Sequence, residues 1–536
     1  MRRPSTHCLL ALGACIATLL TIASIAAHAA GESAQILQAR VGQLGSGGEV
    51  RVSGAAIAST VVLPSFYERR GFEPAWTDPG DVDALFAAIH DSAADGLRAE
   101  DYHLAALEAL YAVPRSPARD ADFDLLATDA LVRLGYHLRF GKVDVTRIDP
   151  HWNFRRDYEA VLLLAPTVAI QEALDQHRVR ESLDVLRPGH PLYAALRGAL
   201  QRYREIEAAG GWRPVPAGAT LAPGVSDPRV PALRARLEAE GDLIEPDDAL
   251  GDLYDGVLES AVKHFQSRHG LTPDGLVGGR TLRALNVPVT TRIGQLRLSL
   301  ERSRLIMHDL PERFVVVNVP GYRVYYVEGG AARFASNVVV GKVIARTPIF
   351  RAEMTHVVLN PSWTVPPIVM KTDIIPGLKK DPGYLERKGL QRIGGQVVQP
   401  PGPNNALGRL KLMFPNPHYV FLHDTPQRDL FEKESRTFSS GCVRVEDVFG
   451  LAEAVIDDPQ RWSKAKLLEA ADTGATQTIK LERRVPVLLA YWTAGVASDG
   501  RVLFYEDVYA RDAAELQALD APFAFHEQAV SAARAR

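Results

Sequence analysis

Cysteine is scarce in this chain. Its 536 residues contain three, of which Cys8 and Cys15 lie in an N-terminal stretch with the features of a secretion signal. An exported mature protein would therefore keep a single thiol, Cys442, and would have no disulfide within the chain. A lone cysteine in an oxidising compartment is a candidate nucleophile.

The N-terminal segment predicts export. Two arginines precede an apolar run over residues 8–27, which ends in Ala27-His28-Ala29. This order is typical of a secretory signal peptide over residues 1–29, cleaved after Ala29, and it indicates a periplasmic location. The alternative is an uncleaved anchor that associates the protein with the inner membrane, because the apolar run is nearly as long as a membrane span.

Charge and histidine spacing exclude several other classes of protein. The formal net charge is −3 and no basic block is present, which argues against a nucleic-acid partner. No group of cysteine, histidine and acidic residues has the spacing of a metal site. His264 and His269 lie five residues apart without further ligands and are interpreted as surface residues. We expect no metal and no cofactor.

The chain is too long for one hydrophobic core, which predicts several domains. Helical periodicity dominates the first half and strand-like alternation the second, so the predicted fold class is multidomain α+β. After the signal, the predicted segments are a flexible lead-in (30–60), a helical scaffold domain (61–213), a linker (214–226), a small three-helix domain (227–288), a mostly-β domain (312–480) with a lid-like insertion (368–408), and a C-terminal segment (481–536) that packs on the helical domain.

Local signals predict individual elements of the second half. The three-helix domain should begin with a helix over 230–240 that ends at Gly241. Alternation predicts a strand from Tyr419 to His423, and a hairpin at Gly329-Gly330 between two of the earlier strands. Those earlier strands are predicted over 313–319, 322–327 and 333–340. The stretch 368–408 is rich in Pro, Gly, Lys and Asn, so we expect an irregular segment that acts as a lid.

Cys442 has neighbours suited to nucleophilic catalysis. It follows Gly441, which permits a tight turn whose backbone N–H groups converge on one oxygen. His423 ends an apolar strand nineteen residues earlier and can act as general base for the thiol. The alternatives are a cysteine that packs in the core and a histidine with a structural role. The residues around Cys442 and His423 make both of these alternatives weaker than a catalytic role.

These residues resemble the catalytic motif of the bacterial L,D-transpeptidases. That motif is a histidine, a spacer, and Ser/Thr-His-Gly-Cys followed by an apolar residue and Arg or Asn. The matching residues are His423 and Ser439-Ser440-Gly441-Cys442-Val443-Arg444. Ser440 departs from the motif because many members have a second histidine there, so His423 is the one base that we assign. The Ser-Ser-Gly-Cys form is similar to a large periplasmic subfamily.

Further segments extend the resemblance over most of the chain after the signal. Residues 360–366 and 405–409 match the catalytic domain of that subfamily, and Phe66-Tyr67 with Pro74-Ala75-Trp76 resemble its helical scaffold domain. Residues 241–282 resemble a small three-helix peptidoglycan-binding domain. For this last domain, both wall binding and a role as spacer stay open.

The resemblance implies two-step acyl transfer on peptidoglycan stem peptides. Cys442 would form a thioester at the L centre of diaminopimelate with loss of D-Ala, and a second diaminopimelate amine would complete a 3→3 cross-link, with His423 as acid and base. Backbone N–H groups of Gly441 and Cys442 would stabilise the oxyanion. A backbone carbonyl, rather than the Asp424 side chain, would orient His423.

The predicted substrate-binding residues surround this pair. They are Arg444, Trp363, Phe421 and Ser440. For Arg444 the alternative is an ion pair with Glu446 or Asp447, and for Phe421 it is core packing.

Other functions fit the same residues. With water as acceptor the enzyme would be an L,D-carboxypeptidase or amidase, and with a lysine side chain it would anchor a lipoprotein to the wall. A different class is a wall-binding scaffold with an inert thiol. Besides stem peptides, the expected partners are other wall-synthesis enzymes.

Overall fold

The computed structural model describes residues 31–46, 49–149, 152–154, 165–244 and 251–524. The predicted signal peptide, with Cys8 and Cys15, lies outside these residues. Within the described ranges, no helix has both the length and the apolar character needed to cross a membrane. The described residues fall into two compact units, one built from the parts before 145, from 155–189 and after 517, the other from 145–154 and 190–517.

The first unit is helical. Capping side chains and a proline in the first turn start two of its helices, since Asp78 accepts from the backbone N–H groups of Gly80 and Asp81, and Ser116 accepts from that of Arg119. Its helices are 31–45, Val62–Arg69, Pro79–Asp91, Leu104–Ala112, Pro117–Phe140, Ala165–Asp175 and Val179–Asp184.

A buried carboxylate connects the segments of this unit that resemble the scaffold domain. The Tyr67 hydroxyl donates to Asp124 at 2.7 Å, and the backbone N–H groups of Ala75 and Trp76 donate to it at 2.8 Å. Burial raises the pKa of Asp124 to about 6. The helix Pro117–Phe140 thereby holds the helix Val62–Arg69 and the loop at Ala75 and Trp76 in place.

The predicted flexible lead-in over 30–60 is wrong. Residues 31–45 form a helix that buries Leu37, Val41 and Leu44, and the strands β1 (Arg51–Val52) and β2 (Ala55–Ala56) pair antiparallel after it. The three apolar residues recur at helical spacing and therefore share one face. Small residues around them obscured this pattern in the sequence.

The second unit begins with a helix that had been assigned to the scaffold domain. The helix Pro191–Ala208, which the prediction of 61–213 places in the scaffold domain, packs against Val289–Ile306 within this unit. The two helices share a cluster of apolar side chains with the strands near residue 500. Its buried members are Tyr193, Leu196, Ala199, Leu200, Tyr203, Ile293, Leu296, Leu300, Ala494, Val502 and Phe504.

The three-helix domain follows. Its helices are Val230–Glu240, Gly256–Arg268 and Gly279–Leu285, and Gly241 ends the first in a left-handed conformation with φ 77°. Leu233, Leu237 and Phe265 are fully buried in its core. His269, predicted at the surface, is only 7% exposed because its ring stacks on Phe265 with centroids 3.8 Å apart.

A buried ion cluster joins this domain to the helix Pro191–Ala208. Glu240 accepts from Arg236 at 2.7 Å, from Arg268 at 2.6 Å and from the Tyr203 hydroxyl at 2.7 Å. Burial by itself would raise the pKa of Glu240, but Arg268 and Arg236 outweigh it and hold that pKa far below its usual range. The carboxylate therefore stays charged in the folded protein.

A closed sheet forms the core of the C-terminal domain. Nine strands lie in the order β12-β5-β13-β11-β10-β6-β14-β3-β4, and β4 also pairs with β5, so the sheet closes on itself. The strands are β3 (Arg313–Asn318), β4 (Arg323–Glu328), β5 (Ala331–Gly341), β6 (Phe350–Leu359), β7 (Trp363–Thr364), β8 (Gln391–Ile393), β9 (Gln396–Gln399), β10 (Leu410–Met413), β11 (Leu422–His423), β12 (Thr437–Ser439), β13 (Val443–Val445), β14 (Gln477–Ala490), β15 (Ala494–Val496) and β16 (Val502–Phe504). The helices Val448–Ile456, Pro459–Trp462 and Lys464–Asp472 follow β13 in the chain, and the helix Asp512–Asp520 begins in this unit.

The predicted boundary between residues 480 and 481 is wrong. It falls inside β14, which lies between β6 and β3 in the closed sheet. The register of β14 on β6 shifts between Lys480 and Val485. This irregularity breaks the alternation that a sequence pattern needs, so the pattern predicts a domain boundary inside the strand.

The insertion 368–408 is structured, contrary to the prediction of an irregular segment. It contains the short helices Pro367–Val369, Ile375–Lys380 and Tyr384–Arg387, the first two joined by a π-helical turn, and a separate sheet in which β9 pairs with both β7 and β8. It also has its own apolar cluster. The buried members are Val365, Val369, Ile374, Leu390 and Val397.

We expect Glu240→Ala to lower the free energy of unfolding by about 3–5 kcal/mol, because it leaves the buried Arg236 guanidinium without its carboxylate and leaves Arg268 with Asp242 alone. Urea unfolding at neutral pH measures this loss, and Glu238→Ala, an exposed neighbour on the same helix, is the matched control. The depressed pKa of Glu240 contributes stability above about pH 4.3, which is lost as the pH falls below that value. Equal stability of both variants would contradict the prediction.

Candidate active site

The catalytic face of the sheet is set by the parallel pairing of β11 with β13. Leu422 lies opposite Val443 and His423 opposite Arg444. Leu422 and Val443 are fully buried beneath the sheet. Because side chains alternate along a strand, His423 and Arg444 point to the other face, together with Cys442, which immediately precedes β13. The predicted nucleophile and base therefore lie on the same face of neighbouring strands.

His423 is oriented by a backbone carbonyl. It is 4% exposed, and its Nδ1 donates to the carbonyl oxygen of Asp424. The Asp424 carboxylate does not serve this purpose, since it accepts from the backbone N–H of Arg409 at 2.9 Å. Burial and the charge of Arg444 lower the pKa of His423 to about 3, although the Asp424 carbonyl acts in the opposite direction. The ring is thus neutral, and Nε2 is free of a proton and able to accept one.

Cys442 is a half-buried free thiol whose Sγ lies 3.7 Å from the carbonyl oxygen of Tyr419. Burial raises the pKa of the thiol, while the backbone N–H of Phe421 and the charges of Lys411 and Arg444 act to lower it. Tyr419 has a left-handed backbone with φ 55°, and the strand that was predicted to begin there starts only at Leu422. In the free protein, thiol and imidazole are both uncharged.

The turn before Cys442 is held by hydroxyl groups. Ser439 Oγ accepts from the Gly441 N–H at 3.1 Å, and Thr347 Oγ1 donates to the Gly441 carbonyl at 2.8 Å. Gly441 has φ 115°, a backbone conformation that other residues rarely adopt. Its N–H is therefore engaged, which corrects the prediction that it is an oxyanion donor. The N–H of Cys442 is the other predicted donor and keeps that assignment.

Arg444 forms neither of the ion pairs considered for it. Its Nη1 donates to Gln427 Oε1 at 2.6 Å. The Glu446 carboxylate accepts from Asn337 at 2.7 Å, and that of Asp447 accepts from Lys464 at 2.8 Å. Arg444 is thus half-buried next to a neutral amide.

The other predicted substrate-binding residues lie in different places. Phe421 is half-buried on the catalytic face, and its ring centroid is 3.9 Å from Lys411 Nζ. Ser440 is exposed in the turn. Trp363 lies in β7, which pairs with β9, and it packs on the apolar cluster of the insertion. The structure therefore brings Phe421 to the face that carries Cys442, whereas Trp363 belongs to the separate three-stranded sheet.

One residue of the site, Lys411, was not singled out from the sequence, and a second, Asn405, was matched only as part of the segment 405–409. Lys411 lies opposite His423 on β10. Asn405 is 1% exposed, donates to the carbonyls of Pro361 and Gln399, and accepts from the Leu407 N–H at 2.8 Å. It ties the base of the insertion to the loop before β10. A charged residue within the apolar strand Leu410–Met413 was the one available signal for Lys411.

One group among the described residues has the composition of a metal site. Asp78, Asp81 and His177 each offer a ligand atom within 4.8 Å of the others. Asp78 caps the helix Pro79–Asp91, and His177 Nδ1 lies 2.9 Å from Asp81. These contacts give all three side chains a structural role in the helical unit.

Family models place three known domains on the chain. Residues 312–461 match the "L,D-transpeptidase catalytic domain", residues 226–285 the "Putative peptidoglycan binding domain" and residues 62–200 the "Scaffold domain". The chain therefore carries an L,D-transpeptidase catalytic domain on a multidomain α+β fold, and the resemblance predicted from its sequence is confirmed.

A curated relative from Haemophilus influenzae strain Rd is named "Putative L,D-transpeptidase". It is 30% identical over 236 residues, which cover 40% of this chain and 48% of the relative. The chain thus spans about half the length of the curated relative that it matches.

Two solved structures are also similar. The L,D-transpeptidase (residues 123–326) from Xylanimonas cellulosilytica is 18% identical, with 51% of this chain and 98% of that chain covered and a TM-score of 0.17. The carbamoyl enzyme of Ldtfm with avibactam is 12% identical, with 36% of this chain and 61% of that chain covered and a TM-score of 0.19. The domain assignment rests on the family models.

We expect Cys442 of the free protein to be alkylated slowly at neutral pH. Burial raises the pKa of Cys442, and His423, with a pKa of about 3, stays neutral, so the rate with iodoacetamide should climb steadily from about pH 5 to 9. Mass spectrometry of the Cys442 peptide measures the rate, and free cysteine is the reference. A rate plateau below pH 7 would instead indicate a preformed thiolate–imidazolium pair.

Proposed function

We propose that the protein is a peptidoglycan L,D-transpeptidase that forms 3→3 cross-links through a thioester on Cys442. The observation that carries the proposal is the neutral His423, whose Nδ1 is bound to a carbonyl and whose Nε2 is left as an acceptor on the face that holds the thiol. A base of this kind removes the thiol proton as the sulfur attacks.

The first half-reaction acylates the enzyme. His423 Nε2 takes the thiol proton while Sγ attacks the carbonyl at the L centre of diaminopimelate in a donor tetrapeptide. The N–H of Cys442 stabilises the oxyanion of the tetrahedral intermediate, a contribution of about 3 kcal/mol per donor. The intermediate collapses as the imidazolium gives its proton to the departing D-Ala amine. A thioester and a neutral imidazole remain.

The second half-reaction transfers the acyl group. The side-chain amine of a second diaminopimelate attacks the thioester, and His423 accepts the proton that the amine loses. The thiolate departs and regains a proton from the imidazolium, which restores the neutral pair. Water as acceptor would give the carboxypeptidase or amidase reaction, and a lipoprotein lysine would give wall anchoring. All three acceptors share the same acyl-enzyme.

The insertion 368–408 is well suited to cover the acceptor during these two half-reactions. It has its own apolar cluster, yet Ile368 and Ile375 are 44% and 46% exposed. Asn405 and the pairing of β7 with β9 anchor its base. A lid that folds as a small independent layer can move as a body and exclude water from the thioester.

Location and partners follow from the substrate. Peptidoglycan lies outside the cytoplasm, so we assign the protein to the periplasm, with export by the segment 1–29 and inner-membrane association if that segment is retained. Other wall-synthesis enzymes are the proposed partners. The domain matched over 226–285 would hold the enzyme on the wall or act as a spacer.

We expect purified protein to release D-Ala from disaccharide-tetrapeptides and to produce 3→3 dimers, and Cys442→Ala to abolish both. Muropeptide analysis by liquid chromatography and mass spectrometry measures the products. A carbapenem should add its full mass to Cys442, because the thiolate opens the β-lactam to a thioester. Persistent cross-linking by Cys442→Ala, or a wild-type protein that forms no adduct, would overturn the proposal in favour of a wall-binding scaffold.

We expect the double substitution Ile368→Ser, Ile375→Ser to lower kcat/KM for cross-linking about tenfold without changing Tm by more than about 2 °C, because both side chains are largely exposed. Hydrolysis of the acyl-enzyme should rise relative to transfer, since water reaches the thioester more easily. Val185→Ser, at a residue 78% exposed in the helical unit, is the control. An unchanged ratio of hydrolysis to transfer would exclude the lid.

A further inference from the structure

Two cations flank the candidate base. Lys411 lies opposite His423 in the antiparallel pairing of β10 with β11, and Arg444 lies opposite it in the parallel pairing of β11 with β13. Residues directly opposite one another on neighbouring strands share a face. Lysine, histidine and arginine therefore form one row across three adjacent strands, on the face that carries Cys442.

The row contains no acidic residue. Val358 lies opposite Lys411 on the next strand, and Val339 lies opposite Arg444. Lys411 Nζ lies over the ring of Phe421, and Arg444 Nη1 is bound to the Gln427 amide. Neither cation is within salt-bridge distance of a carboxylate among the described residues of the chain, although both are half-buried.

Unpaired half-buried cations are costly, and sites that retain them commonly bind anions. Burial lowers the pKa of both Lys411 and Arg444, which shows that the free protein disfavours their charged forms. An anion placed between them would repay that cost. The lysine offers a point charge and the arginine a planar fork, so the pair suits a carboxylate.

The position of Lys411 fits a ligand close to the scissile bond. Lys411 Nζ lies over the ring of Phe421, 3.9 Å from its centroid, and Phe421 is two residues before His423. The Phe421 carbonyl accepts a hydrogen bond from the N–H of Val443, the residue after Cys442. A group held by Lys411 is thus on the same face as the sulfur, close enough that the charge of Lys411 acts to lower the pKa of Cys442 against the effect of burial. Stem peptides have two carboxylates near that bond, one on the departing D-Ala and one at the far end of the diaminopimelate side chain.

We propose that Lys411 and Arg444 form a carboxylate-binding subsite on either side of His423, which selects donor peptides that have a free carboxylate next to the scissile bond. This inference rests on the proposed function and adds its donor specificity. The same charges depress the pKa of His423, so a bound carboxylate would also restore basicity to the imidazole when the donor is in place.

Binding to inactive protein tests the subsite directly. In the Cys442→Ala background, calorimetry would compare a free-acid tetrapeptide with its C-terminal amide and with its side-chain amide. We expect the free acid to bind about tenfold more tightly than one of the amides, and that amide identifies the carboxylate. Adding Lys411→Met should reduce the preference to less than about threefold, whereas adding Lys433→Met, at an exposed lysine of the same domain, should preserve it.

The outcomes separate the subsite from the reaction. Equal affinities for the three donors, or a preference that survives Lys411→Met in a protein of unchanged Tm, would overturn the subsite even if the wild type releases D-Ala. A preference that depends on Lys411 would support the subsite even if the wild type releases none, and the proposed reaction alone would then fail.

Discussion

The parallel pairing of β11 with β13 is the contact on which the candidate site depends. Two in-register residue pairs fix it, with Leu422 and Val443 packed beneath the sheet and His423 and Arg444 above it. A slip of one residue would turn the imidazole toward the core beneath the sheet and the leucine toward the face that carries Cys442. The apolar face therefore specifies the geometry of the polar face, and core packing and catalytic geometry are one constraint.

Around this pairing, burial keeps the Cys442 thiol and the His423 imidazole uncharged in the free protein. Burial raises the pKa of the thiol and lowers the pKa of the imidazole, so it favours the neutral form of both groups. The nearby cations remain the main charges on that face. In the proposed subsite, a bound anion would change the electrostatics of His423 as well as contribute binding energy of its own.

Local signals in the sequence were sufficient for much of the fold. Gly241 marked the end of Val230–Glu240, and the alternation around Gly329-Gly330 predicted a hairpin. Cys442 and His423 were identifiable because the residues that mark them as nucleophile and base lie next to them in the sequence. Lys411 was not, because its place opposite His423 depends on a strand register that no local pattern determines. The engaged N–H of Gly441 likewise depends on a hydroxyl whose orientation is a property of the folded turn.

The position of β14 has a consequence for the order of assembly. This strand is the last of the nine in the chain, yet it lies between β6 and β3 and closes the sheet. While the chain is being made, the earlier strands must wait with two open edges until residue 490 is available. The closed sheet is therefore completed only after nearly all of this domain has been synthesised.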